Sequence, residues 1–293
     1  MSIHYPVMNS EVISVLENSA RDIFLDCTVG MGGHAALILN KFPESKLIAV
    51  DMDEESLEIA KRNMADYRDR VRFINTNFKD LFEAEEIDWD RVSGVLIDPG
   101  LSVYQIKSEG RGFSHSEDSK LDMRKDMSKG ITAHEIVNTF NEKELSEIFE
   151  KYGEIRRADG FAKRIIERRL FEVIDTSLQL KKISEDYFGW RPKRGKTHPA
   201  SKVFQALRIY VNKELEGISE FVGTLSKKLK KGARIVFLTF HSTEDRIIKN
   251  VFKKLKNSGS IKTIRPFPMV PTTEEIEKNN PSRSAKLRAV EIL

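Results

Sequence analysis

Apolar residues fall in short runs early in this chain and take up helical spacing toward its middle. DIFLDC (22–27), KLIAVDMD (46–53), VRFINTNF (71–78) and VSGVLIDPG (92–100) read as strands. HAALILNKF and EESLEIAKRNMADY lie between them and carry apolar positions near a period of 3.6, which predicts helices. Such βαβαβ alternation predicts a parallel sheet with helices on both faces and ligands at the carboxyl ends of its strands.

A fifth buried strand, ARIVFLTF at 233–240, follows the basic helix end LSKKLKKG. About 135 residues separate it from the fourth, where a helical crossover needs only about 30. The stretch 132–174 has helical periodicity, and VFQALRIYVNKELEGISEFVGTLSKKL reads as a helical return to the sheet. An insert of about 100 mostly helical residues is therefore expected. The proline-containing stretch 257–281 reads as an irregular surface loop.

Composition narrows the function classes. Of 293 residues, 40% are apolar and 32% charged, which suits a water-soluble chain with a sizeable core. No apolar run approaches the roughly 18 residues of a membrane span, and MSIHYPVMNSEV lacks the pattern of a signal peptide. Cys27 is the sole cysteine, which excludes an internal disulfide and a cysteine-based zinc site. The six histidines are scattered without ligand spacing, so no metal is expected. A cytoplasmic location fits best. Net charge is only +4, but 151–212 holds 15 Lys plus Arg against 7 Asp plus Glu, marking a region suited to an anionic partner.

The candidate chemistry begins at DCTVGMGGH (26–34). Gly30, Gly32 and Ala35 satisfy the dinucleotide fingerprint G-x-G-x-x-G/A, and Asp51 ends the second strand 21 residues after Gly30, where a carboxylate can hold ribose hydroxyls. Nicotinamide and S-adenosylmethionine enzymes share both features. Asp26 separates them: a fixed anion there repels a pyrophosphate and attracts the ammonium and sulfonium of S-adenosylmethionine. Asn77 and Phe78 follow the third strand where an adenine would lie, Phe78 serving either its face or the core. Asp98 faces the same cleft.

Asp98 also opens DPG (98–100), the place where amine-directed methyltransferases carry a polar residue before prolines and an aromatic; the motif is degenerate, with no aromatic until Tyr104, and Asp-Pro-Gly is equally a good turn. In FHSTEDR (240–246), His241 is a candidate to touch a target base or take its proton, whereas Ser242 or Thr243 is expected to cap the following helix. No G-x-S-x-G elbow supports a hydrolase. From Tyr187 to Lys213 there is no acid; seven cations accompany Tyr187, Phe188 and Trp190, the combination that holds unpaired nucleic acid.

Taken in order, HYPVM (4–8), DCTVGMGGH, DMD (51–53), RGFS (111–114), LDMR (121–124), YGEIRRA, HPASKVFQALRIYVN, FHSTEDRI and NPSRSAKLRA resemble the RsmH (MraW) family nearly end to end. The resemblance implies a Rossmann-like class I S-adenosylmethionine-dependent methyltransferase domain over 1–110 and 212–293, with an inserted helical domain over 111–211. It implies methylation of the exocyclic N4 of a cytidine in 16S ribosomal RNA, within the small ribosomal subunit. It also implies a cofactor site of Gly32, Gly33, His34, Asp51, Phe78, Asp98 and Gln105. DPGLSVYQ departs from the family's DLGVSSPQ, so Pro99, Val103 and Tyr104 are unusual. Catalytic roles are expected of Asp98 and His241, and RNA contacts of Trp190, Arg191, Lys193, Arg194 and Lys196. A nicotinamide oxidoreductase and a non-catalytic RNA-binding protein are the rival readings, separated by cofactor binding and by turnover.

Overall fold

The computed structural model describes residues 6–17, 19, 22–84, 87–100, 110–192 and 198–293. The chain forms two compact units, Met1–Ser102 with Glu216–Leu293, and Val103–Leu215.

The first unit is built on seven strands: β1 (Ile23–Asp26), β2 (Lys46–Asp51), β3 (Val71–Asn75), β4 (Val92–Ile97), β5 (Arg234–Thr239), β6 (Ile261–Thr263) and β7 (Lys286–Ile292), in the order β3-β2-β1-β4-β5-β7-β6. β3, β2, β1, β4 and β5 are parallel; β1, β2, β4 and β5 are buried apolar runs, whereas β3, at the edge, buries only Ile74. All six residues of β4 are buried, which places it at the centre. β7 runs antiparallel to β5 and to β6, a departure from the all-parallel expectation. The stretch 257–281 is correspondingly not a plain loop, since it contains β6 and a short helix, Thr273–Lys278. β6 escapes a sequence pattern because three residues are too few to show a period.

Helices α1 (Asn9–Leu16), α2 (Gly33–Lys41), α3 (Glu54–Asn63) and α4 (Leu81–Ala84) precede the insert, and α5 (Ala133–Thr139), α6 (Glu142–Gly153), α7 (Ala158–Arg169), α8 (Ser177–Phe188) and α9 (Pro199–Val211) form it. α10 (Ile218–Lys228), α11 (Ser242–Asn257) and α12 (Thr273–Lys278) return to the first unit. The single helical return expected from residue 203 onward is thus two helices. Between them Lys213 and Gly217 take left-handed φ values of 47° and 71°, and a right-handed helix cannot pass through such positions.

α11 is fixed by charge. Asp245 in its first turn accepts from Arg288 Nε at 2.8 Å and from Lys286 Nζ at 3.0 Å, both on β7. Arg288 is 5% exposed and lies over the Phe267 ring. Burial opposes the Asp245 charge, yet these bonds hold its carboxyl below the usual carboxylate range.

The second unit is a helical bundle with an aromatic and aliphatic core that includes Leu145, Phe149, Phe161, Ile165, Leu180, Phe204 and Leu207, all buried. Capping boxes at Thr132–Glu135, Asn141–Glu144 and Thr176–Gln179 start α5, α6 and α8. The RGFS and LDMR runs close the unit's two chain ends on each other. Met123 N–H donates to Arg111 O, Arg111 Nη2 donates to Lys125 O, and Lys125 N–H donates to Asn212 Oδ1 at 2.7 Å. Gly112, at φ +73°, lies so close to the Lys120 carbonyl that no side chain fits there.

Candidate active site

Three carboxylates converge at the ends of adjacent strands. Asp26 ends β1 and pairs with Ala49 of β2 and Leu96 of β4, so Asp51 and Asp98 lie two residues further along those neighbours. Asp26 is 1% exposed. Burial pushes its carboxyl up to about 8; the Thr28 N–H, donating to Oδ1 at 3.1 Å, opposes the rise, and the charges of Asp98 and Asp51 add to it. Asp26 is therefore protonated at neutral pH in the ligand-free protein. This corrects the expectation of a fixed anion: desolvation and two neighbouring carboxylates outweigh the preference of an acid for its charge.

Asp51 is half-buried and clamped in place. Its Oδ2 accepts the Gly30 N–H at 2.8 Å and its Oδ1 the Asp53 N–H at 3.0 Å. The glycine turn between β1 and α2 is tied to β2 by Val29 N–H donating to Val50 O. Gly32 sits at φ +89°, where a Cβ would come within 2.8 Å of Met64 Sδ. Here the glycine serves both the turn and the packing of α2 on the end of α3. His34, in the first turn of α2, is 8% exposed, and its Nε2 lies 3.6 Å from Asp98 Oδ2.

Thr28 is a residue that sequence reasoning missed. Its hydroxyl accepts the Asp98 N–H at 2.7 Å while its own N–H donates to Asp26, so it joins the two carboxylate positions across β1 and β4. Nothing in a single sequence marks a threonine for that role. Phe240, after β5, is the second such residue. Its half-buried ring lies against Gly100, where a Cβ would stand 3.3 Å from Phe240 Cε2 and 3.7 Å from Asp98 Oδ1. Among the described residues an aromatic ring therefore lies near Asp98 on the β5 side.

Other expected residues take different parts. Asn77 Oδ1 accepts the Lys79 N–H at 3.1 Å and caps a short 3-10 turn. Phe78 is 8% exposed and packs in a T-shaped pair with Phe221 at 5.0 Å, so little of its ring is open to an adenine. His241, and neither Ser242 nor Thr243, caps α11. Its Nδ1 accepts the Glu244 N–H at 3.3 Å, and Glu244 Oε2 in turn accepts the Phe240 N–H at 2.9 Å. That bond uses the only lone pair of a neutral imidazole, leaving Nε2 to carry the proton. Gln105, with Val103 and Tyr104, lies outside the described residues.

In the second unit Tyr187 and Phe188 pack on Phe161, and the Tyr187 hydroxyl donates to Arg157 O at 3.1 Å. Both rings are half-buried, so part of each is committed to packing on Phe161. Trp190 is half-buried, edge-on to His198 at 5.0 Å, and Arg191 is exposed. Lys193, Arg194 and Lys196 lie outside the described residues. Among the described residues no cluster of three or more His, Cys, Asp or Glu could hold a metal ion, and no helix is long and apolar enough to cross a membrane.

Comparison with known proteins covers the whole chain. The sequence profile of the MraW methylase family matches residues 1–293. The chain is 42% identical over 294 residues to a protein of Thermotoga neapolitana named ribosomal RNA small subunit methyltransferase H, covering 99% of this chain and 96% of that one. A protein of the same name from Persephonella marina is 42% identical, covering 97% of each chain. One from a Nostoc species is 40% identical over 98% of this chain and 92% of its own.

Proposed function

We propose, from the premise that this chain belongs to the MraW methylase family, that it transfers a methyl group from S-adenosylmethionine to the exocyclic N4 amine of a cytidine in 16S ribosomal RNA. The observation that carries the reading is the gathering of Asp26, Asp51 and Asp98 at one end of the sheet beside the glycine turn. A pyrophosphate would meet the carboxylates of Asp51 and Asp98 there, which disfavours a nicotinamide dinucleotide.

The residues suit S-adenosylmethionine on their chemistry. The Asp51 carboxylate, already oriented by two N–H donors, accepts from ribose hydroxyls. The first-turn amides of α2, from Gly33 and His34 onward, favour the carboxylate of the methionine part. Asp26 and Asp98 answer its cationic groups, while Phe78 borders the adenine. When bound, the cofactor supplies an electrophilic methyl on a positively charged sulfur.

Asp98 is held by Thr28 through its backbone and faces His34 through its side chain. Its carboxylate accepts a hydrogen bond from the target amine and aims the nitrogen lone pair at the methyl carbon. Methyl transfer would release one proton from the amine nitrogen to solvent, and the Asp98 carboxylate would hold that nitrogen in line with the methyl group while it is lost. Orientation is the main contribution, since a cytosine amine is a poor nucleophile. Phe240 offers an aromatic surface on which the target base can stack. In the second unit, Trp190, Arg191 and the cations Lys193, Arg194 and Lys196 are the proposed RNA contacts, with the assembled small subunit as substrate.

The test incubates the protein with methyl-labelled S-adenosylmethionine and small ribosomal subunits lacking the modification, then identifies the labelled nucleoside by mass spectrometry. N4-methylcytidine is expected, and Asp98→Ala should abolish it. A different labelled nucleoside, or label that persists in Asp98→Ala, would overturn the reading.

A further inference from the structure

Asp26 contributes no hydrogen bond to the cofactor's ribose or to the target amine in the account above, yet it is the most deeply buried of the three carboxyls. Its surroundings have been set against its charge. Asp51 approaches from the end of β2, Asp98 from the end of β4, and the next residue is the buried Cys27. Among the hydrogen bonds described for it, the one to its carboxyl comes from the Thr28 N–H. From α2, His34 turns its Nε2 toward Asp98. Placing three carboxyls at the ends of adjacent strands is costly while all are charged, and the cost is removed by a cation among them.

Resting on the cofactor reading above, we infer that Asp26 is a specificity residue that gives up its proton when the cationic cofactor enters the cleft, and takes it back once the sulfur is neutral. S-adenosylmethionine carries a net charge of +1 and S-adenosylhomocysteine none, because methyl transfer removes the sulfonium charge. A carboxyl whose ionisation waits for that charge distinguishes substrate from product without touching different atoms. The proton passes to solvent on binding and returns on turnover, so the cycle is balanced. The coupling also has a direction in pH. With its carboxyl pushed up to about 8 in the free protein, Asp26 is protonated below that value, and cofactor binding must displace the proton there. Affinity for S-adenosylmethionine should therefore rise about tenfold per pH unit from pH 6 toward 7.5 and level off above about pH 8.5. Affinity for S-adenosylhomocysteine should rise far less.

Isothermal titration calorimetry of the whole chain, in two buffers of different ionisation enthalpy, reads this directly. At pH 7, S-adenosylmethionine should release about one proton per site, falling toward none by pH 9.5. S-adenosylhomocysteine should release much less. Asp26→Asn should bind without proton release, with affinity flat in pH. Its thermal midpoint, taken without ligand, should exceed that of the parent chain above pH 8, because burial of the charge is then avoided. If Asp26→Asn does not fold, the parent chain's proton count and the contrast between the two ligands still decide. His34→Asn separates the imidazole from the carboxyl. Equal heats in both buffers, equal release with both ligands, or release that vanishes in His34→Asn and persists in Asp26→Asn would each overturn the inference while leaving the cofactor site intact. Failure of S-adenosylmethionine to bind at all would overturn the cofactor reading itself.

Discussion

In the sheet unit the decisive side chains are acids at strand ends, held by backbone N–H groups: Asp51 by Gly30 and Asp53, Asp26 by Thr28. In the helical unit the corresponding positions are aromatic or basic, and the aromatics are half-buried, each packing one side of its ring on a neighbour. Tyr187 and Phe188 close over Phe161, while Trp190 leans on His198. The contrast follows from the two architectures. A parallel sheet delivers the ends of several buried strands to one place, so short polar side chains there meet without any help from the surface. A small helical bundle has no such convergence. Its interior needs large rings to fill it, and its contact with a polyanion falls to long side chains on the outside.

The largest effect should come from the acid nearest the transferred group. Asp98→Ala is expected to lower the methylation rate by about a thousandfold while cofactor affinity falls much less. Comparable losses in both would move Asp98 from the amine to the cofactor. Next, Asp245→Ala removes the partner of Arg288, which is buried at 5% exposure. It should cost about 3 kcal/mol in thermal or denaturant unfolding. The pH dependence has a definite sign. Because the folded-state carboxyl of Asp245 lies below its ordinary value, its contribution is complete above about pH 5 and is lost as pH falls through the folded value. The difference in thermal midpoint between the parent chain and Asp245→Asn should therefore shrink from pH 6 to pH 3.

In the helical unit, replacing Arg191, Lys193, Arg194 and Lys196 together by alanine should weaken RNA binding at least tenfold and flatten its salt dependence, sparing cofactor binding. Unchanged RNA affinity in a salt titration would remove that surface from the proposal. Tyr187→Phe sharpens the contrast most finely. Loss of its hydrogen bond to Arg157 O should cost about 1 kcal/mol of stability and leave RNA affinity unaltered, as befits a packing residue. A drop in RNA affinity with unchanged stability would return Tyr187 to the binding surface.

By itself the sequence determined the five parallel strands, the helical insert and the candidate acids Asp26, Asp51 and Asp98. Buried strands must be continuous apolar runs, a gap of about 135 residues exceeds any simple crossover, and an acid at the end of such a run stands out. The resemblance in DCTVGMGGH, LDMR and FHSTEDRI extended that reading to a family. Other matters were decided only when the chain closed on itself. The sheet's last pair runs antiparallel, through a strand of three residues that carries no periodicity. His241 caps a helix with the lone pair that a base would need, and Thr28 and Phe240 come to Asp98 from strands distant in sequence. Whether Asp26 carries a charge depends on its burial and on two carboxyls from neighbouring strands. Charge, capping and contact are properties of neighbours in space, and a residue's neighbours along the chain specify only a few of them.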